Sequence, residues 1–114
     1  MSLPEVTAQA ADAGAFRLAP GAPGTFSAEG PLTFASARRA CELGVAALAH
    51  AAAASLEIDC RGITSSDSAG LAVLLEWLSV AKRAGRSLRY ARLPQGLAAL
   101  ARISEVEDLL ERGV

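Results

Sequence analysis

The chain has 114 residues, of which 52% are hydrophobic but only 4% aromatic, and a net charge of −1. That length suits a single domain able to bury its own core without staples. The near-neutral charge excludes a general electrostatic attraction to nucleic acid or anionic lipid, and a single histidine, His50, excludes a His-based metal cluster.

Alanine supplies much of the hydrophobic content, a composition suited to helices packed closely on a small sheet. Residues 1–14 read as a loose tail without periodicity, and 15–114 as one domain. Phe16-Arg17-Leu18 alternates and is stopped by the turn-forming run Pro20-Gly21-Ala22-Pro23-Gly24. Thr25-Phe26-Ser27-Ala28-Glu29-Gly30 alternates again, so the two segments are expected to pair as a hairpin. The first helix is expected from Ala35 to Ala49, with Ala37, Cys41, Gly44, Val45 and Leu48 on its inner face.

Leu56 to Cys60 reads as a central strand, and Ser68 to Ala84 as a second helix closed by Gly85, with Lys82 and Arg83 complementing the dipole of its last turn. Ser87 to Ala91 alternates as the next parallel strand. Pro94 opens a short third helix carrying Leu97, Leu100 and Ala101, and Ser104-Glu105-Val106-Glu107 has the pattern of a capping box for a last helix through Leu110. Strands alternating with helices imply an α/β fold, a small sheet of mostly parallel strands with helical cover. Cys41 and Cys60 fall on the inner faces of a helix and a strand and read as free buried thiols.

The junction Asp67-Ser68-Ala69-Gly70 carries the most information. An acidic residue and a hydroxyl between a strand and a helix serve as N-caps, because their oxygens accept bonds from the unpaired N–H groups of the first turn. The same position exposes Ser68 at the positive end of a helix dipole, where a phosphate or a partner's acceptor is well received. Both readings stand at the level of sequence.

The stretch Leu56-Glu57-Ile58-Asp59-Cys60-Arg61-Gly62-Ile63-Thr64-Ser65-Ser66-Asp67-Ser68-Ala69-Gly70-Leu71 resembles the core signature of STAS domains, with similarity running from Phe26 to Leu110. Asp67-Ser68-Ala69-Gly70-Leu71-Ala72-Val73-Leu74-Leu75 is closer to the MlaB type than to anti-sigma-factor antagonists, which usually carry Ser or Thr where Ala69 stands. The resemblance implies the STAS fold and a non-catalytic subunit without cofactor. Such a subunit binds and regulates or stabilises an MlaF-like ABC transporter ATPase, in a complex with a membrane permease that maintains outer-membrane phospholipid asymmetry. It implies partner contact through Asp67, Ser68, Ala69 and Gly70. The alternative it implies is an anti-sigma-factor antagonist that an anti-sigma kinase switches by phosphorylating Ser68.

Other candidates weigh less. The second helix carries two apolar stripes: Leu71, Leu74, Leu75 and Leu78 read as core, while Gly70, Val73, Trp77 and Val80 read either as helix–helix packing or as a docking surface centred on Val73 and Trp77. Lys82, Arg83, Arg86, Arg89 and Arg92 form a basic run best read as a solvated edge. Cys41 and Cys60 lack ligand spacing, Ser68 has no base placed near it in sequence, and no glycine motif for nucleotides is present, so catalysis is not expected. The first residues lack the basic and apolar regions of a signal peptide, and His50, Glu76 and Lys82 break every apolar run short of a bilayer span. The expected location is cytoplasmic, peripheral to the inner membrane through the partner.

Overall fold

A computed structural model describes residues 15–113, so the loose tail expected over 1–14 lies outside the described residues. The chain order is β1 (Arg17–Pro20), β2 (Thr25–Leu32), α1 (Ala37–His50), β3 (Ser55–Ser66), α2 (Ser68–Arg83), β4 (Ser87–Ala91), α3 (Gln95–Ile103) and α4 (Glu107–Arg112). The strands form one sheet in the order β1-β2-β3-β4. The expected hairpin is present, with β1 antiparallel to β2 and Arg17 opposite Glu29. The β2–β3 and β3–β4 pairs are parallel, as the alternation of strands with helices requires.

β3 is longer than the sequence pattern indicates, because pairing with β2 continues to Leu32 opposite Ser66 after the apolar alternation ends. Its inward residues Leu56, Ile58 and Cys60 are buried with Leu88 and Tyr90 of β4. Their neighbours Glu57, Asp59 and Arg89 alternate away from that core, and there Glu57 pairs with Arg89 and Asp59 with Arg92. Burial pushes the Cys60 thiol up to about 12, with the charge of Asp59 adding to it, so this sulfur behaves as a small apolar group. The buried Tyr90 hydroxyl donates to the carbonyl of Leu74 at 2.6 Å and fastens β4 to the middle of α2.

α2 is buried on two sides because it lies between the sheet and α1. Leu71, Leu74 and Leu78 form one side, and Gly70, Val73, Trp77 and Ala81 extend the buried surface around the helix. Trp77 is therefore core, which decides between the two readings of its stripe for helix–helix packing and against a docking surface: its side chain is fully buried. The indole lies against Gly44 of α1, where a Cβ would come within 2.0 Å of Nε1, and its ring centroid is 6.0 Å from that of Phe16. Gly44 is thus fixed by close approach rather than by backbone conformation.

The inner face of α1 is also rotated from the expected one. Ala40, Gly44 and Leu48 are buried, whereas Val45 is exposed and Cys41 only half-buried. Nor does the capping box form: Ser104 closes α3, Glu105 takes a left-handed conformation at φ 61°, and Val106 stands at the start of α4 without a side-chain cap. The turn between the two helices needs those residues, so they are not available to cap. The basic run is largely consumed internally. Arg83 reaches Glu76, Arg89 reaches Glu57 and Arg92 reaches Asp59, while Arg86 donates to the carbonyls of Leu48 and Ala49 at the end of α1 and of Ala53 beyond it.

The Trp77–Gly44 contact predicts two costs. Trp77→Ala should lose about 3–5 kcal/mol, as truncation of a buried aromatic does, and Gly44→Ala about 1–3 kcal/mol through overpacking. Urea melts followed by circular dichroism check both, and a change near zero for Gly44→Ala would mean that the helices separate freely.

Candidate functional site

Each residue of Asp67-Ser68-Ala69-Gly70 has a separate task. Asp67 is the N-cap of α2, in extended backbone, and its Oδ1 accepts from the Gly70 N–H at 3.1 Å. Its other oxygen, Oδ2, accepts from the Phe34 N–H at 3.0 Å across the loop between β2 and α1. One carboxylate therefore ties the starts of both helices together. The Phe34 bond, then the Gly70 bond, hold the Asp67 carboxyl below its ordinary value. Gly70 is required by space, since a Cβ there would meet the carbonyl oxygen of Leu32 at 2.0 Å.

Ser68, the first residue of α2, is exposed, and its hydroxyl makes no hydrogen bond among the described residues. The aspartate does the capping, which leaves the serine free. Ala69 points beside it into a groove between α1 and α2, about 390 Å³ in volume, lined by Phe34, Ala37, Arg38, Cys41, Ala69, Ala72, Val73 and Glu76. Phe34 is 83% exposed at its edge. The groove is apolar apart from Arg38 on α1 and Glu76 on α2. Of the two residues on which the docking reading centred, Val73 lies in this groove and Trp77 does not. Phe34, which falls between the expected second strand and first helix, is the residue that sequence reasoning missed. A large aromatic just before a helix in an aromatic-poor chain was the available signal.

A second hollow, about 370 Å³, lies at the other end of the parallel strands, between Thr25, Ser55, Glu57, Ser87 and Arg89. It holds none of the expected site residues, and its two charges already pair at 3.5 Å. No group of three or more His, Cys, Asp or Glu side chains is placed to hold a metal among the described residues.

The family model described as "Mlab, STAS domain" matches residues 17–111, nearly all of the folded part of the chain. The chain belongs to the MlaB-type STAS family. STAS domains are regulatory and generally non-catalytic, and this one has the family's mixed α/β sheet with helices. Among solved structures it is similar to the unphosphorylated form of the anti-sigma factor antagonist SpoIIAA, with a TM-score of 0.59 at 13% identity, covering 78% of this chain and 83% of that one. It is also similar to part of SLC26A9, with a TM-score of 0.57 at 14% identity, covering 93% of this chain but only 23% of that chain. At these identities the likeness is one of fold. No curated protein matches the sequence. No helix of this STAS domain is long and apolar enough to cross a membrane among the described residues.

Because the folded-state pKa of Asp67 is depressed, its stabilising effect is complete above the ordinary aspartate value of about 3.9 and is lost as pH falls through the lower, folded-state value. Asp67→Ala should therefore melt at a lower temperature than wild type at neutral pH, and the gap should close in strong acid. Thermal melts across that range check it, and a pH-independent gap would show that the carboxylate charge is immaterial.

Proposed function

We propose that this STAS domain is the non-catalytic subunit of an ABC phospholipid transporter, which binds an MlaF-like ATPase and regulates or stabilises it. The reading rests on the MlaB-type family match together with one observation: Ser68 is exposed and unbonded at the start of α2, beside an apolar groove and an exposed Phe34. A hydroxyl at a helix start and an exposed aromatic on one surface suit a protein contact. The hydroxyl, at the positive end of the helix dipole, meets a partner's acceptor, while Phe34 supplies apolar area for burial. In this role Ser68 hydrogen-bonds and does not react. Asp67 and Gly70 position it, and Ala69 leaves room for the partner. Attachment to a transporter would bring the domain to the cytoplasmic side of the inner membrane through its partner, with a permease completing the complex.

The exposure of Ser68 also favours a second reading, a phosphorylation switch of the anti-sigma-factor-antagonist kind. A phosphate there carries nearly two negative charges into the contact, and an interface that suits a neutral hydroxyl must then desolvate them. Ala69, with neither hydroxyl of the Ser or Thr usual in those proteins, supports the transporter reading.

Affinity purification from the native host separates the two. Recovery of an ABC ATPase with its permease supports the first reading, and recovery of a serine kinase in their place overturns it. Within either complex, Ser68→Thr should bind like wild type. Ser68→Asp should weaken binding by at least about tenfold, corresponding to about 1.4 kcal/mol, without lowering the melting temperature, since it leaves Asp67 and its cap in place. Unchanged affinity for Ser68→Asp would remove this surface from the contact.

A further inference from the structure

We propose that the groove between α1 and α2 is also a self-association surface, on which two copies of the chain dock about a two-fold axis. The groove has an unpartnered apolar lining, with Phe34 83% exposed at its edge. Its small residues Ala37, Ala69 and Ala72 leave space for an aromatic ring from outside. The two charged residues select the occupant. Arg38 lies on the α1 side and Glu76 on the α2 side. A two-fold axis that bisects the line between Arg38 and Glu76 sets each of them opposite the other in the second copy. Arg38 then faces Glu76 of the second copy, and the pairing occurs twice. Like charges on both sides would make such a face repel itself, whereas opposite charges make it complementary to its own copy.

The charges are available for that pairing. Arg38 is exposed and has no ion pair among the described residues. Glu76 meets Arg83 at 3.5 Å, both side chains being substantially exposed, a contact of the kind that contributes little. Eight residues line the groove, well short of the roughly 20–30 residues a side of a standard stable interface. The association is accordingly weak and reversible. It covers Ala69, next to Ser68, so a second copy and a docked partner exclude one another. A dimer of this kind holds the apolar groove covered until a partner displaces it.

Sedimentation velocity on the purified chain tests this without any partner, so its outcome is independent of which partner the domain serves. Wild type, Arg38→Glu, Glu76→Arg and an equimolar mixture of the two variants are compared from about 10 µM to about 1 mM, the range where a sub-standard interface assembles. Wild type should shift from monomer towards dimer with concentration. Each variant alone places like charges opposite each other and should associate at least about tenfold more weakly, while the mixture restores both opposite-charge pairs and should return to near the wild-type constant. Phe34→Ser, at an exposed position, should lose association while keeping the wild-type circular dichroism. The proposal is overturned if wild type stays monomeric throughout, as it would were the groove filled by residues 1–14 or reserved for another protein. It is equally overturned if the mixture associates no better than the single variants.

Discussion

The contact between the Trp77 indole and the bare Cα of Gly44 sets how closely α1 and α2 approach, and the groove beside Ser68 depends on that approach. Both helices start at the same end of the sheet, after β2 and β3, and both contribute residues to the groove. With Phe16, the residue just before the edge strand β1, stacked at an angle on the same indole, the start of that strand is tied to this arrangement. One large side chain thus links three elements, and a glycine is the only residue that admits it. The indole N–H is buried without a hydrogen-bond partner among the described residues. Leaving such a group unpaired costs about 1–3 kcal/mol, which the burial of so large an apolar ring must offset.

Above that contact, Asp67 turns packing into a presented surface. By accepting from Phe34 and from Gly70, it fixes the loop before α1 relative to the first turn of α2. Capping is a task that Ser68 would otherwise be suited to perform. Because the aspartate performs it, the hydroxyl stays exposed at a helix N-terminus, where its environment favours acceptors and anions. The signature therefore divides into supporting residues, Asp67 and Gly70, and presented ones, Ser68 and Ala69.

Much of this was legible in the sequence, and the exceptions have physical causes. The hairpin, the parallel strands and α2 follow from alternation and turn chemistry, which are local. The Asp67 cap was legible as a residue type, but its second bond, to Phe34, joins positions far apart in sequence. Trp77 was ambiguous because helical periodicity reports a buried stripe without saying whether a helix or a partner covers it. The rotation of α1, which places Ala40 inside and Val45 outside, came from Gly44: in an alanine-rich helix the apolar pattern is weak, and close approach of the indole decides the orientation. The capping box at Ser104 failed because a turn between α3 and α4 claimed the same residues. Arg86 looked like one charge of a solvated run, and nothing local indicated its true partners.

Those partners carry a consequence for how the molecule opens and closes. Residues 51–54, which follow α1, are all alanine and offer no side chain to receive the helix's last carbonyls. The guanidinium of Arg86 does so from the turn before β4, and in the same reach binds the carbonyl of Ala53. The end of α1 is thus completed only when a segment more than thirty residues later has docked. Fraying there is coupled to detachment of β4 and is not a private event of one helix. In amide hydrogen exchange, the last turn of α1 and the first residues of β4 should therefore open as a single cooperative unit, although the whole of β3 and α2 lies between them in the chain.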